Sequence, residues 1–222
     1  RQRQMCIRDS GNVITGDERR DVMICDYKYN WDKEIYNHVK VVNKNGKDWY
    51  PGKWRREWMP IGYKNPNVTD VNFCYLRYAD VVLMAAEAYN ETGDTSEAWK
   101  LLNSVRKRAG AREITTENYT ELMKEKVYKL NFISDADDAG KFRTALYWER
   151  GFELAFEGQR KYDLIRWGVI KEALTLFSSR SSVKSSYPAG DNFQKGKHEL
   201  FPIPLDELQL NPMFESKNNP NY

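Results

Sequence analysis

From residue 73 onward apolar positions recur at spacings of three and four. Before it they follow no helical period. In "YLRYADVVLMAAEAYNETGD", Ala79, Val82, Leu83, Ala86 and Asn90 fall on one face, which predicts an amphipathic helix over residues 76–91. Gly93 supplies a left-handed stop. Asp94 then caps a second helix over 95–109, and Glu97 three residues on completes a capping box. Ala98, Leu101, Leu102, Val105 and Ala109 line that helix, and Gly110 ends it. A third helix is expected over 118–130, with "SDADDAG" as a polar break after it. A fourth follows over 142–157, and a short fifth over 160–167. "SSRSSVKSSYPAGDNFQKGK" reads as an exposed Ser- and Gly-rich loop. The last residues, with prolines at 202, 204, 212 and 220, read as an extended tail with one helical turn at 205–210.

The pair 76–91 and 95–109, joined by a tight turn, is an αα-hairpin. Its length of about 34 residues and its small contact residues look like a tetratricopeptide unit. One such unit cannot bury its own apolar face, so it needs further helices. The helices are expected to pack antiparallel, Ala79, Leu83 and Ala86 against Leu102 and Val105.

Residues 11–72 are different. Asn45-Gly46, Pro51-Gly52 and Pro66 mark turns, and "HVKVV" reads as a strand entering a hairpin at Asn45-Gly46. Loops with short strands are expected here. The aromatics of this segment, among them Trp31, Trp49, Trp54 and Trp58, are too irregular for one helical stripe. The start, "RQRQMCIRDS", is read as a truncated or non-native beginning. Three segments result: 1–10, a loop-rich aromatic 11–72, and a helical 73–222 with an extended tail.

Composition narrows the classes. Of 222 residues 30% are charged and 41% hydrophobic, a globular balance. The net charge of +3 gives no case for nucleic acid. The 14% aromatic content, with 7 Trp and 14 Tyr, suits a core but also interfaces and flat ligand platforms. Cys6, Cys25 and Cys74 and the two histidines, His38 and His198, have no metal-ligand spacing. No apolar run reaches the roughly 18 residues of a membrane span.

Chemistry concentrates in "ERGFELAFEGQRKYDLIRWG". Glu149, Glu153 and Glu157 recur every fourth residue, followed by Arg160, Asp163 and Arg166. Like charges in one helical column repel and require cations. Arg150, Arg160 and Arg166 are local candidates and Arg106 and Arg108 distant ones. Arg160 is expected to face back to Glu153 or Glu157 across a bend at Gly158. A glycosidase would need two carboxyls flanking a sugar, whereas one helical column points all three the same way. The group therefore reads as a structural ion-pair cluster. "DADDAG" places Asp135, Asp137 and Gly140 as in a calcium loop, but its twelfth position is Leu146 rather than Glu. It reads as a helix-capping break. "KWRREW" mixes basic and aromatic residues without a second basic patch. Asp80 and Glu87 are expected to pair with Arg77 or Arg106.

Four stretches in order, "LRYADVVLMAAEAYNETGD", "LLNSVRKRAG", "ERGFELAFEGQRKYDLIRWG" and "LFPIPLDELQLNP", resemble the C-terminal part of SusD/RagB proteins, the nutrient-binding lipoproteins of Bacteroidota outer membranes. The resemblance covers about residues 73–222. Asn221 stands where that family usually ends in a Pro-Gly-Tyr-like turn, and Asn tolerates left-handed geometry. The resemblance implies a mainly α fold of tetratricopeptide-like pairs with loop-rich and short β segments. It implies glycan or other nutrient capture at the outward-facing outer-membrane surface, beside a TonB-dependent, SusC-like transporter. It implies no catalysis and no cofactor, and membrane contact only through a lipid anchor outside this chain. No motif fixes a correspondence to the family's binding residues. The ligand platform is therefore expected at Trp31, Trp49, Trp54 and Trp58, whose rings suit sugar faces. The alternatives are a tetratricopeptide-type scaffold for proteins or peptides and a peptide-capturing relative of the same family.

Overall fold

Fourteen residues of strong helical period form the first long helix, and the rest of the fold is built outward from it. The computed structural model describes residues 17–32, 34, 37–42, 49–55, 58, 72–122, 129–180, 188–214 and 217–222. For 31, 32, 37, 38, 122 and 180 it describes the backbone alone. In order, the elements are α1 (Arg19–Met23), β1 (Ile24–Cys25), β2 (Tyr27–Asp32), β3 (Asn37–Val42), β4 (Tyr50–Pro51), α2 (Tyr78–Glu91), α3 (Thr95–Arg108), α4 (Tyr119–Leu122) and α5 (Asp138–Glu153). Then come α6 (Arg160–Arg166), α7 (Ile170–Arg180), α8 (Ala189–Asn192), α9 (Leu205–Leu210) and a 3-10 turn, Pro212–Phe214. The fold is mainly helical with a few short strands. Among the described residues no helix is long and apolar enough to cross a membrane. The chain divides into two compact units, one ending at Arg160 and one spanning Lys161–Tyr222.

In the first unit α2, α3 and α5 pack on one another. Leu83 and Ala86 of α2, Ala98, Leu102 and Val105 of α3, and Phe142, Ala145 and Leu146 of α5 are buried. Trp99 and Phe142 meet edge to face at 5.1 Å, a favoured aromatic geometry. The turn between α2 and α3 works as the sequence implies. Gly93 takes φ +96°, open to glycine without a Cβ clash. The Asp94 side chain accepts from Glu97 N at 3.0 Å. The reciprocal half of the capping box is replaced, since the Glu97 carboxylate binds Lys100 at 2.8 Å. Buried Asn103 closes the end of α3 by pairing both ways with the backbone of Ile114, at 2.7 and 2.8 Å.

α5 starts four residues earlier than periodicity suggests and ends four earlier, at Glu153. Asp137, read as part of the polar break, is its cap and accepts from Gly140 N at 2.7 Å. Residues 144–150 are buried without interruption, so α5 is a central helix and lacks the one-sided stripe that marks boundaries. The helix expected over 118–130 is helical at Tyr119–Leu122 and not at residues 129 and 130; 123–128 lie outside the described residues.

The strand in "HVKVV" is present as β3, but its antiparallel partner is the preceding β2, with Tyr27 opposite Val42 and Asp32 opposite Asn37. The hairpin therefore precedes β3, and Asn45-Gly46 lies outside the described residues. β1 pairs with β4, Ile24 opposite Pro51 and Cys25 opposite Tyr50. Gly52 follows, donating to Met23 O at 2.6 Å. A Cβ there would lie 2.5 Å from Val22 O, so only glycine lets the two backbones approach this closely.

In the second unit the segment read as a loop over 178–197 carries structure. α7 runs to Arg180, and Gly190 and Phe193 are buried. Its serines hid the helix end. α9 occupies the expected turn. The tail clasps residues 196–203: Asn221 Nδ2 donates to Gly196 O at 2.9 Å, Asn219 Nδ2 to Phe201 O at 2.7 Å and Tyr222 OH to Leu200 O at 3.0 Å. Asn221 takes φ +66°, the left-handed geometry Asn tolerates.

Candidate functional site

Three side chains of α5 and the bend after it organise the first unit. Glu149, Glu153 and Glu157 are buried, so their charges need strong compensation. Glu149 accepts from Arg19 at 2.5 Å on one oxygen and from Arg106 at 2.6 Å on the other. Glu153 accepts from Arg77 at 2.6 Å and from Arg108 on one oxygen, and from Arg19 at 3.0 Å on the other. Glu157 accepts from Lys53 on one oxygen and from Arg77 at 2.7 Å on the other. All six carboxylate oxygens are thus engaged by cations. Asp17 completes the network by binding Arg19 at 2.7 Å.

The electrostatics follow from this pairing. Burial opposes ionisation of Glu153, but the hydrogen bond from Arg77 and the charges of Arg19, Arg77 and Arg108 outweigh it and hold its pKa below the usual value. Burial likewise opposes charge on Arg19 and Arg77. Glu149 and Asp17 for the first, and Glu157 and Glu153 for the second, reverse the balance and raise both. For Lys53 burial prevails over Glu157 and lowers the pKa.

Several expected partners differ. Arg160 does not meet Glu153 or Glu157. Its guanidinium donates to Tyr147 O at 2.8 Å and lies over the Tyr147 ring at 3.9 Å, packed beside Gly151. The early helix end explains this. The chain turns through Phe156 at φ +66° and Gly158 at φ +81°, which carries Arg160 back along α5 instead of onto its carboxylates. Arg150 pairs with Asp80 at 2.8 Å, taking the place expected of Arg77 or Arg106. In the second unit Arg166 pairs with Asp163 at 2.9 Å, three residues back on α6.

The four candidate tryptophans separate. The side chain of Trp31 lies outside the described residues. Trp49 is partly buried and engaged by neighbours. Trp58 is 56% exposed, with the Arg55 guanidinium 5.8 Å from its ring centroid. Trp54 is 38% exposed and has company that sequence reasoning missed: Phe73 lies 6.0 Å away, centroid to centroid, tilted by 35°. Tyr75 meets Phe73 edge-on at 5.3 Å. Phe73 and Tyr75 are themselves 51% and 83% exposed. These two lie just before the helix expected over 76–91 and outside the aromatic segment 11–72, so neither pattern drew attention to their rings. The helix starts only at Tyr78, which leaves them extended at the surface.

Trp54 is firmly held. It sits in the turn after Gly52, between two anchored cations. Lys53 donates to Glu153 O at 2.7 Å and pairs with Glu157. Arg55 donates to Gly52 O at 3.2 Å, Val22 O at 3.2 Å and Ile24 O at 3.3 Å, and also to Asp21 O. The Phe73–Tyr75 segment is tied by Gln159 Nε2 to Tyr75 O at 3.1 Å and by Arg77 to Glu153 O at 2.5 Å. The three exposed rings are set at different angles, 35° between Trp54 and Phe73 and 80° between Phe73 and Tyr75, and each offers a face that can stack on an apolar ligand face. Among the described residues no group of three or more His, Cys, Asp or Glu is placed to hold a metal ion.

Comparison with known proteins agrees with this architecture. The family model described as the SusD family matches residues 8–222. SusD-like protein P25 of Formosa agariphila is 37% identical over 142 residues, which cover 64% of this chain and 23% of that protein. SusD-like protein P2 of the same organism is 32% identical over 214 aligned residues, 86% of this chain and 38% of that protein. The chain therefore spans well under half the length of these curated relatives. In fold it is similar to a SusD superfamily protein of Bacteroides vulgatus, with a TM-score of 0.53 at 21% identity, over 93% of this chain and 40% of that one. A family model matched almost from end to end, on a mainly helical chain with the expected helical hairpin, establishes that this chain belongs to the SusD family.

Proposed function

We propose that this chain is part of a cell-surface protein that binds glycans or related nutrients and passes them to a TonB-dependent outer-membrane transporter, without catalysing a reaction. Its place is the outward-facing surface of the outer membrane, held there by a lipid anchor. The observation that carries the proposal is the exposed run of Trp54, Phe73 and Tyr75. Pyranose rings present apolar C–H faces, and aromatic side chains bury those faces while water or polar groups serve the hydroxyls. Family membership supports the same reading. A binding role without hydrolysis is supported by the carboxylates, since each oxygen of Glu149, Glu153 and Glu157 already accepts from a cation. A general acid would need a protonated oxygen aimed at substrate.

The test is tryptophan fluorescence during titration with a panel of host and plant polysaccharides, followed by Trp54→Ala and Phe73→Ala. At least one polysaccharide should perturb the fluorescence, and each substitution should weaken it by about 1–3 kcal/mol, as loss of a central aromatic anchor does. A panel without response would overturn the reading.

A second reading, a scaffold that docks a partner helix, rests on the outer side of α2, where Tyr78, Val81, Met84 and Tyr89 are exposed. Those residues recur at three and five, an apolar strip a helix would cover. Binding of peptides that survives Trp54→Ala but not Met84→Glu would favour it.

A further inference from the structure

The exposed rings belong to two segments about twenty residues apart, and one carboxylate joins them. Lys53 precedes Trp54, and its amine pairs with one oxygen of Glu157. Arg77, two residues beyond Tyr75, binds the other oxygen of Glu157 at 2.7 Å. Both cations also donate to a single carbonyl, Glu153 O, at 2.7 and 2.5 Å. Gln159, on the far side of the bend, holds Tyr75 O at 3.1 Å. The bend over 154–158 therefore receives both aromatic segments, and it includes Phe156 in a left-handed conformation. A bulky residue rarely adopts that geometry unless its surroundings impose it. Glu157 follows Phe156 directly and meets both segments through Lys53 and Arg77.

We infer that Glu157 is a positioning residue for the aromatic surface: it bridges Lys53 and Arg77 and so fixes the Trp54 ring beside the Phe73 and Tyr75 rings. The inference rests on the proposed glycan-binding reading for its functional meaning and on the ion pairs alone for its structural meaning. Rings held in register present a preorganised surface, and a ligand then spends less of its interaction energy on ordering them. Glu149 stands as the internal contrast. It is as buried and as fully paired, but its partners, Arg19 and Arg106, belong to neither of the two segments that carry the rings.

The experiment uses the full chain labelled with 5-fluorotryptophan, with the Trp54 resonance assigned by Trp54→Phe. In Glu157→Gln the Trp54 fluorine signal should shift or broaden, while that of buried Trp148 stays in place. Lys53→Met removes only the Lys53 link to Glu157 and leaves Arg77 bonded, so it serves if Glu157→Gln fails to fold; the same signal should move. An unmoved Trp54 signal in the folded variants would overturn the inference. Binding adds the functional arm, measured with whichever polysaccharide of the panel gives the strongest fluorescence response. Glu157→Gln should weaken it about tenfold in the wild-type background and change it little in the Trp54→Ala background, a coupling typical of groups that act as a unit. Equal effects in both backgrounds would mean a merely general contribution and overturn the inference. If Trp54→Ala and Phe73→Ala themselves leave binding unchanged, the glycan reading fails instead, and the fluorine result still decides the positioning.

Discussion

At the scale of single residues, the contrast between Glu149 and Arg160 is the most informative. Glu149 is 0% exposed, and both of its oxygens meet guanidinium groups that are themselves buried. Glu149→Ala would leave Arg19 and Arg106 without that partner, at a cost of about 3–5 kcal/mol. Arg160 carries a lighter duty, one bond to Tyr147 O and a contact with its ring. Arg160→Ala should cost about 1–2 kcal/mol. Urea midpoints at unchanged slope measure both, and a larger loss for Arg160→Ala than for Glu149→Ala would contradict the assignment. The sequence makes the need for cations plain, because three carboxylates four residues apart cannot be buried alone. It names Arg106 and Arg108 correctly but not Arg19, which lies 130 residues from Glu149. A pairing over that distance has no local signal. The local rule that did apply, proximity of Arg160 in sequence, failed because the helix ends at Glu153 and the bend reverses the arginine's direction.

At the scale of elements, the helical hairpin was legible almost to the residue. Its apolar stripe, its glycine and its cap all agree, and such consistency across levels is what fixes a local structure. Leu102, fully buried on α3, should lose about 2–5 kcal/mol as Ala; a thermal melt unchanged by it would remove Leu102 from the core. The strands and the exposed aromatics were less legible. Two-residue strands such as β1 and β4 have no alternation to read, and their pairing depends on Gly52 lying against Val22. Gly52→Ala should therefore cost about 1–3 kcal/mol through the forced shift of backbone. It should also disturb Trp54, two residues on, and a near-ultraviolet circular dichroism spectrum identical to wild type would refute that link.

At the scale of the whole molecule, buried Glu153 gives stability a defined dependence on pH. The folded pKa of Glu153 is depressed from its ordinary value of 4.5. Its contribution is fully present above that value and is lost as pH falls through the lower folded pKa, because the unfolded chain takes up the proton first. The urea midpoint should hold steady near neutrality and fall in acid below about pH 4.5. Glu153→Gln should flatten that acid limb, and a limb of unchanged steepness would assign the acid sensitivity elsewhere. The network that sets this dependence also carries the exposed rings, so stability and the shape of the aromatic surface share one foundation.

That foundation has a purpose only if the surface binds something. The decisive measurement is the affinity of Trp54→Ala and Phe73→Ala, each with a thermal melt like wild type, for the polysaccharide that most perturbs tryptophan fluorescence. Exposed rings contribute little to the core, so folding should survive both changes. The account predicts complexes roughly tenfold to hundredfold weaker than wild type. Wild-type affinity in both variants would contradict it.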